Sequence, residues 1–245
     1  MEIIDYSKEY KEKPSVGKHS PLFPKNIFCV IAGSTGCGKT LLLTNLLRKP
    51  DVLNFKDFYV YCPTLHQDAY TNLKQHFEEQ ESAIENEYKR KTNKNKVIKC
   101  AHFYDTDDNI KDPRELDPNF NHIMIFDDVM MKDQKIIKEY FCTGRHNNVN
   151  VFYLVQSLHK IQKHCIRENA NMFILFKQRD KTLKYFYEDT ISGDMEFDEF
   201  KQFCYKAWCK PHGFVVINLW DDIIYGRYWA NYTHVYTPQS FLLSK

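Results

Sequence analysis

Eight residues, GSTGCGKT at positions 33–40, constrain this chain more than any other feature. Gly33, Ser34, Thr35, Gly36, Cys37, Gly38, Lys39 and Thr40 satisfy every fixed position of G-x-x-x-x-G-K-[ST]. Glycines let backbone N–H groups converge on phosphate oxygens without intervening Cβ atoms. The helix that follows adds the positive end of its dipole. Lys39 is placed to reach the β- and γ-phosphates, and the Thr40 hydroxyl to bind Mg²⁺. The context fits: the apolar run NIFCVIAG (26–33) reads as a strand buried on both faces, and KTLLLTNLLRK reads as a helix ending at Pro50.

The rest of the chain continues that alternation. FKDFYVYCP (55–63), VIKCAHFY (97–104), NHIMIFDD (121–128), NVFYLVQS (150–157) and NMFILFK (171–177) read as strands, and GFVVINLW (213–220) as a late one. AYTNLKQHFEEQ, DQKIIKEYFCTG (133–144) and a segment beginning at Asp194 read as helices, with Asp133 as an N-cap and Gly144 as a C-terminal stop. Short apolar strands alternating with helices predict an α/β fold with a mostly parallel sheet flanked by helices and a small C-terminal α+β extension. With the GSTGCGKT motif in its strand–loop–helix context, the expected class is a P-loop NTPase of the ASCE/RecA-like kind. The expected organisation is an arm over 1–22, an ATPase core over 23–180 and a C-terminal extension over 181–245 packed on the core. Within the core, 78–99 changes from acidic to basic, carrying Lys89, Arg90, Lys91, Lys94, Lys96 and Lys99. It reads as a charged insertion or loop: either a solvated helix end and loop, or a mobile loop that touches a polyanion.

Net charge is only +2, so total charge selects no partner and a nucleic-acid surface has to be local. The eight cysteines are dispersed and mostly within apolar runs, which predicts buried, reduced thiols in an intracellular protein. Cys204, Cys209 and His212 lack an obvious fourth partner, so core cysteines on a helix are expected there and not a zinc site. MEIIDYSKEYKEKPS has no apolar stretch of signal-peptide type, and no apolar run approaches the length of a membrane span.

HIMIFDD carries the second half of the chemistry. Four apolar residues followed by two acids place Asp127 at a strand end beside a metal, with Asp128 as general base for an attacking water. A second acid points to hydrolysis over transfer to a small acceptor. Gln156, at the end of the next strand, emerges where α/β sheets bind ligands. It is either a sensor of the γ-phosphate or a strand-end cap. Arg145, in CTGRHNN, and Arg179, in KQRD, compete for the role of charge-neutralising arginine.

Taken in order, GSTGCGKT, IMIFDDV, GRHNNVN and FYLVQS resemble the viral DNA-packaging ATPases of poxviruses, giant viruses and the Polinton (Maverick) transposons, members of the FtsK/HerA superfamily. The resemblance spans about residues 24–180. It implies Mg²⁺-dependent ATP hydrolysis in a homo-oligomeric ring, pentameric or hexameric, that drives double-stranded DNA into a preformed capsid. Capsid or portal-vertex proteins are the implied partners, and a host-cell site of virus assembly the implied location. It also implies that Gln156 is the sensor and favours Arg145 as an arginine acting on a neighbouring subunit. The second acid is Asp128, where many superfamily members have Glu. The competing expectations are another DNA translocase, a helicase or a terminase-like motor. A nucleotide kinase fits less well, and a GTP switch lacks its NKxD motif.

Overall fold

A computed structural model describes residues 17–106, 110–129 and 134–242. Among the described residues, nine strands form one sheet: β1 (Phe28–Ala32), β2 (Asp57–Tyr61), β3 (Ala101–Tyr104), β4 (His122–Asp127), β5 (Val149–Val155), β6 (Met172–Phe176), β7 (Phe214–Asn218), β8 (Tyr228–Ala230) and β9 (His234–Tyr236). Their order is β3-β2-β4-β5-β1-β6-β7-β8-β9. The first six are parallel to their neighbours, and β7, β8 and β9 continue the sheet antiparallel beyond β6.

Every residue of β1, β4, β5 and β6 is buried, as continuous apolar runs in a sheet covered on both faces require. The pleat sorts β1 by alternation. Cys29 and Ile31 face α1 (Lys39–Arg48) and α2 (Asp68–Thr92), while Phe28, Val30 and Ala32 face α3 (Lys135–Thr143), α4 (Asp180–Phe186) and α5 (Phe197–Ala207). A short α6 (Gln239–Leu242) ends the described chain. No helix among the described residues is long and apolar enough to cross a membrane.

The structure departs from expectation at four places. Residues 78–92 are not a loop, because α2 runs unbroken for 25 residues to Thr92 and only 93–100 lack regular structure. Glu, Lys, Gln and Ala sustain a helix without an apolar face. The returning strand is shorter than 97–104, starting at Ala101. Gly144 does follow α3, but in right-handed conformation within a 3-10 turn; the left-handed position is Asn148, at φ 52°. The expected cap at Asp133 lies outside the described residues. Finally, only three of the eight free cysteines are buried (Cys29, Cys62 and Cys204), while Cys142 and Cys209 are exposed.

Candidate functional site

The carboxyl ends of β1, β4, β5 and β6 meet at the top of the sheet, and the loops that leave them build the site. After β1 the chain turns through Gly36 at φ 77° and Gly38 at φ 111°, left-handed values that a Cβ would oppose. Gly38 is the N-cap of α1, so Lys39 and Thr40 occupy its first turn with the unpaired N–H groups beside them. The Lys39 ammonium donates to the Gly33 and Ser34 carbonyls at 2.8 and 3.1 Å, holding it across its own loop.

Thr40 Oγ1 donates to Asp127 Oδ2 at 3.0 Å, which joins the phosphate loop to the end of β4. The same oxygen accepts from the Tyr70 hydroxyl at 2.7 Å. Asp127 is 6% exposed. Its carboxyl is pushed above the ordinary range by burial, against the opposing hydrogen bonds of Tyr70 and Thr40 and the charge of Lys39. Burial, and then the Asp127 charge, push the Tyr70 phenol well up, so it remains a proton donor.

One residue further on the environment reverses. Asp128 is exposed and sits at φ 59°, a left-handed conformation that Asp tolerates better than most residues. That turn swings its carboxylate out of the sheet, where Gln156 Nε2 donates to Oδ1 at 2.8 Å. The acid and the amide at the ends of adjacent strands are thus a bonded pair. Beside them a cleft of about 810 Å³ is lined by Ser34, Thr35, Gln156, Lys177, Arg179 and Lys181, among others.

The donor set fits a divalent cation. Mg²⁺ uses one or two carboxylates together with substrate phosphates, and needs no all-protein cage. Thr40 Oγ1 and Asp127 are hard oxygen donors already at contact distance, and a cation there would offset the cost of the buried carboxylate. No group of three or more His, Cys, Asp or Glu that could hold a metal occurs among the described residues.

Arg145 is not brought to this site within its own chain. It sits exposed in the 3-10 turn before β5, near Asn169 Oδ1 at 3.5 Å. Seven strand residues separate it from Gln156, a span of about 23 Å. Arg179 is the arginine lining the cleft. Cys204 is buried in α5, but Cys209 is exposed beyond its end and His212 faces the phosphate loop, so the three do not converge. Sequence reasoning misses Tyr70 and Gln178. Gln178 Nε2 donates to Ala32 and Phe176 carbonyls at 3.2 and 2.8 Å, tying the ends of β1 and β6. Neither carries a motif signal; both are recognised only by what the fold puts beside them.

One strand, β5, lies between the phosphate-loop strand β1 and the acidic strand β4, so both motifs open at the same end of the parallel sheet. The sequence profile of the poxvirus A32 protein family matches residues 18–189. The chain belongs to that family, the group of viral DNA-packaging ATPases that its motifs resemble. Among solved structures it is similar in fold to the genome packaging NTPase B204 of Sulfolobus turreted icosahedral virus 2 in complex with sulfate. The TM-score is 0.51 at 12% identity, over 80% of this chain and 93% of that one. The DNA-packaging ATPase B204 of Sulfolobus turreted icosahedral virus gives 0.51 at 14% identity, over 80% and 93%. Compared with curated protein sequences, the chain finds no match.

Proposed function

We propose that this chain is a Mg²⁺-dependent ATPase whose turnover drives double-stranded DNA into a preformed capsid, working as a homo-oligomeric ring at a site of virus assembly. The observation that carries the reading is the pair of contacts across three strand ends, Thr40–Asp127 and Asp128–Gln156, around one phosphate loop. The first pair would hold the cation, which supplies neutralising charge for the β- and γ-phosphates. The second supplies hydrolysis: the Asp128 carboxylate takes a proton from the attacking water while Gln156, bonded to it, orients the base and reports the γ-phosphate. Lys39 leaves its loop carbonyls for the phosphates. Asp127, deeply buried, is the ligand, and exposed Asp128 is the base; the contrast of environments supports that division of roles.

Arg179 lies on the cleft wall and serves the nucleotide of its own subunit. Arg145, at the opposite end of the strands, can act only on a neighbour's nucleotide. DNA contact falls to the basic end of α2 and the segment after it, where Lys and Arg track phosphates without reading sequence. The test is steady-state ATP hydrolysis with and without double-stranded DNA. The motor reading expects a rate increase that fades with salt. Turnover indifferent to DNA, with transfer of phosphate to a small acceptor, would move the assignment to a kinase.

A further inference from the structure

We propose that His212 is a positioning residue for the phosphate loop, through which the C-terminal strands complete the nucleotide site. The proposal rests on the reading that the loop binds nucleotide, but no motif includes this residue. His212 Nδ1 lies 3.0 Å from the Cys37 carbonyl oxygen, across 175 positions of sequence. A carbonyl only accepts, so the imidazole donates through Nδ1–H. The ring also covers Gly38: a Cβ there would meet His212 Nδ1 at 2.9 Å.

The bonded carbonyl sits between two glycines of positive φ, the part of the loop least restricted by its own sterics. In a trans peptide C=O and N–H point opposite ways. Holding the Cys37 carbonyl outward against His212 therefore turns the Gly38 N–H to the other, phosphate-facing side. Without that bond the peptide is free to rotate, and one donor leaves the cradle.

The turn bearing His212 is braced. Trp208 Nε1 donates to the Leu175 carbonyl of β6 at 2.9 Å, and Gly213 N to Lys210 O at 3.0 Å. A side chain at Gly213 would strike the Ala207 carbonyl, at 2.2 Å from its Cβ. Phe214 and Asn231 close the other end, with Phe214 N donating to Asn231 Oδ1 at 2.8 Å and Asn231 N to Phe214 O at 3.1 Å. His212 itself takes φ 56°, a conformation that non-glycine residues keep only when their surroundings impose it.

The experiment uses the full chain and a fluorescent ATP analogue, with ATP turnover and melting temperature measured in parallel. His212→Gly removes the donor without a backbone penalty. It is expected to weaken nucleotide binding and raise KM about fivefold to tenfold, the loss of one hydrogen bond, with kcat nearly unchanged. His212→Asn tolerates the left-handed backbone, keeps a short amide donor and should recover most of the affinity. The nucleotide-free glycine variant should melt near the wild type. Unchanged affinity in His212→Gly, equal losses in both variants, or early melting of the free glycine variant would each overturn the proposal. Lys39→Ala is the separate control: wild-type affinity there would sink the nucleotide reading and not merely the part given to His212.

Discussion

Asp127 and Asp128 are neighbours in sequence with opposite surroundings, and those surroundings decide what each substitution does. Asp127 buries its carboxyl at the end of β4. Its folded-state pKa is raised by burial, so it favours folding only below the ordinary carboxylate pKa, and that contribution is lost as pH rises through the raised value. Asp127→Asn should therefore raise the melting temperature of the nucleotide- and metal-free protein at neutral pH by roughly 2–4 °C while abolishing turnover, measured by scanning calorimetry in the presence of a chelator. Asp128→Asn should leave nucleotide binding intact and lower kcat by about 10²–10⁴-fold. Retained turnover would remove Asp128 from the role of base. Both acids, with Lys39 and Thr40, stand out in the sequence because each lies in a short motif whose residue types the chemistry fixes, and Gln156 stands out as a polar residue ending an apolar strand. Tyr70, which donates to Asp127, does not, since it belongs to no motif and an isolated tyrosine at the start of a helix announces nothing.

α2 shows why charge runs mislead at the scale of elements. Only Tyr70, Leu73 and Phe77, in its first turns, are buried. The remainder has no apolar stripe, and it is sustained by helix-forming residues and exposed i,i+4 pairs such as Lys74–Glu78 and Glu87–Lys91. At 25 residues it is about 38 Å long. The segment after it returns along its side: Glu85 Oε1 accepts from Ile98 N, and Glu81 Oε1 from Cys100 and Ala101 N, at 2.7–3.0 Å. Lys89, Arg90, Lys91, Lys94 and Lys96 thus lie at the tip of a hydrogen-bonded helical arm and its return, not in a free loop. Reversing Lys89, Arg90 and Lys91 to Glu should spare basal ATP hydrolysis and remove most DNA stimulation. It should also flatten the salt dependence of DNA binding, by about 0.9 in slope for each phosphate no longer neutralised. An unchanged slope would place the DNA elsewhere.

For the whole molecule, the parallel half of the sheet is legible in the sequence and its completion is not. GFVVINLW reads as a strand, but nothing local reveals that it pairs antiparallel with β6 and carries β8 and β9 beyond it. The family match ends at residue 189, before β7 begins at Phe214. Truncation after 189 would leave β6 as an open apolar edge, so the shortened chain is expected to be insoluble, checked by the soluble fraction on expression. A soluble, folded fragment would show the last strands to be dispensable. The position of Arg145 belongs to the same scale. If it serves a neighbour, Arg145→Ala mixed into wild type should depress ATP turnover more steeply than its share of subunits, whereas proportional loss would leave Arg179 as the sole candidate. The most direct measurement of the central claim is steady-state ATP turnover as a function of double-stranded DNA length at fixed base-pair concentration. A translocating motor should hydrolyse faster on longer duplexes until the rate levels off, and lose that dependence in Lys39→Ala. A rate independent of length, or unaffected by DNA, would contradict the account.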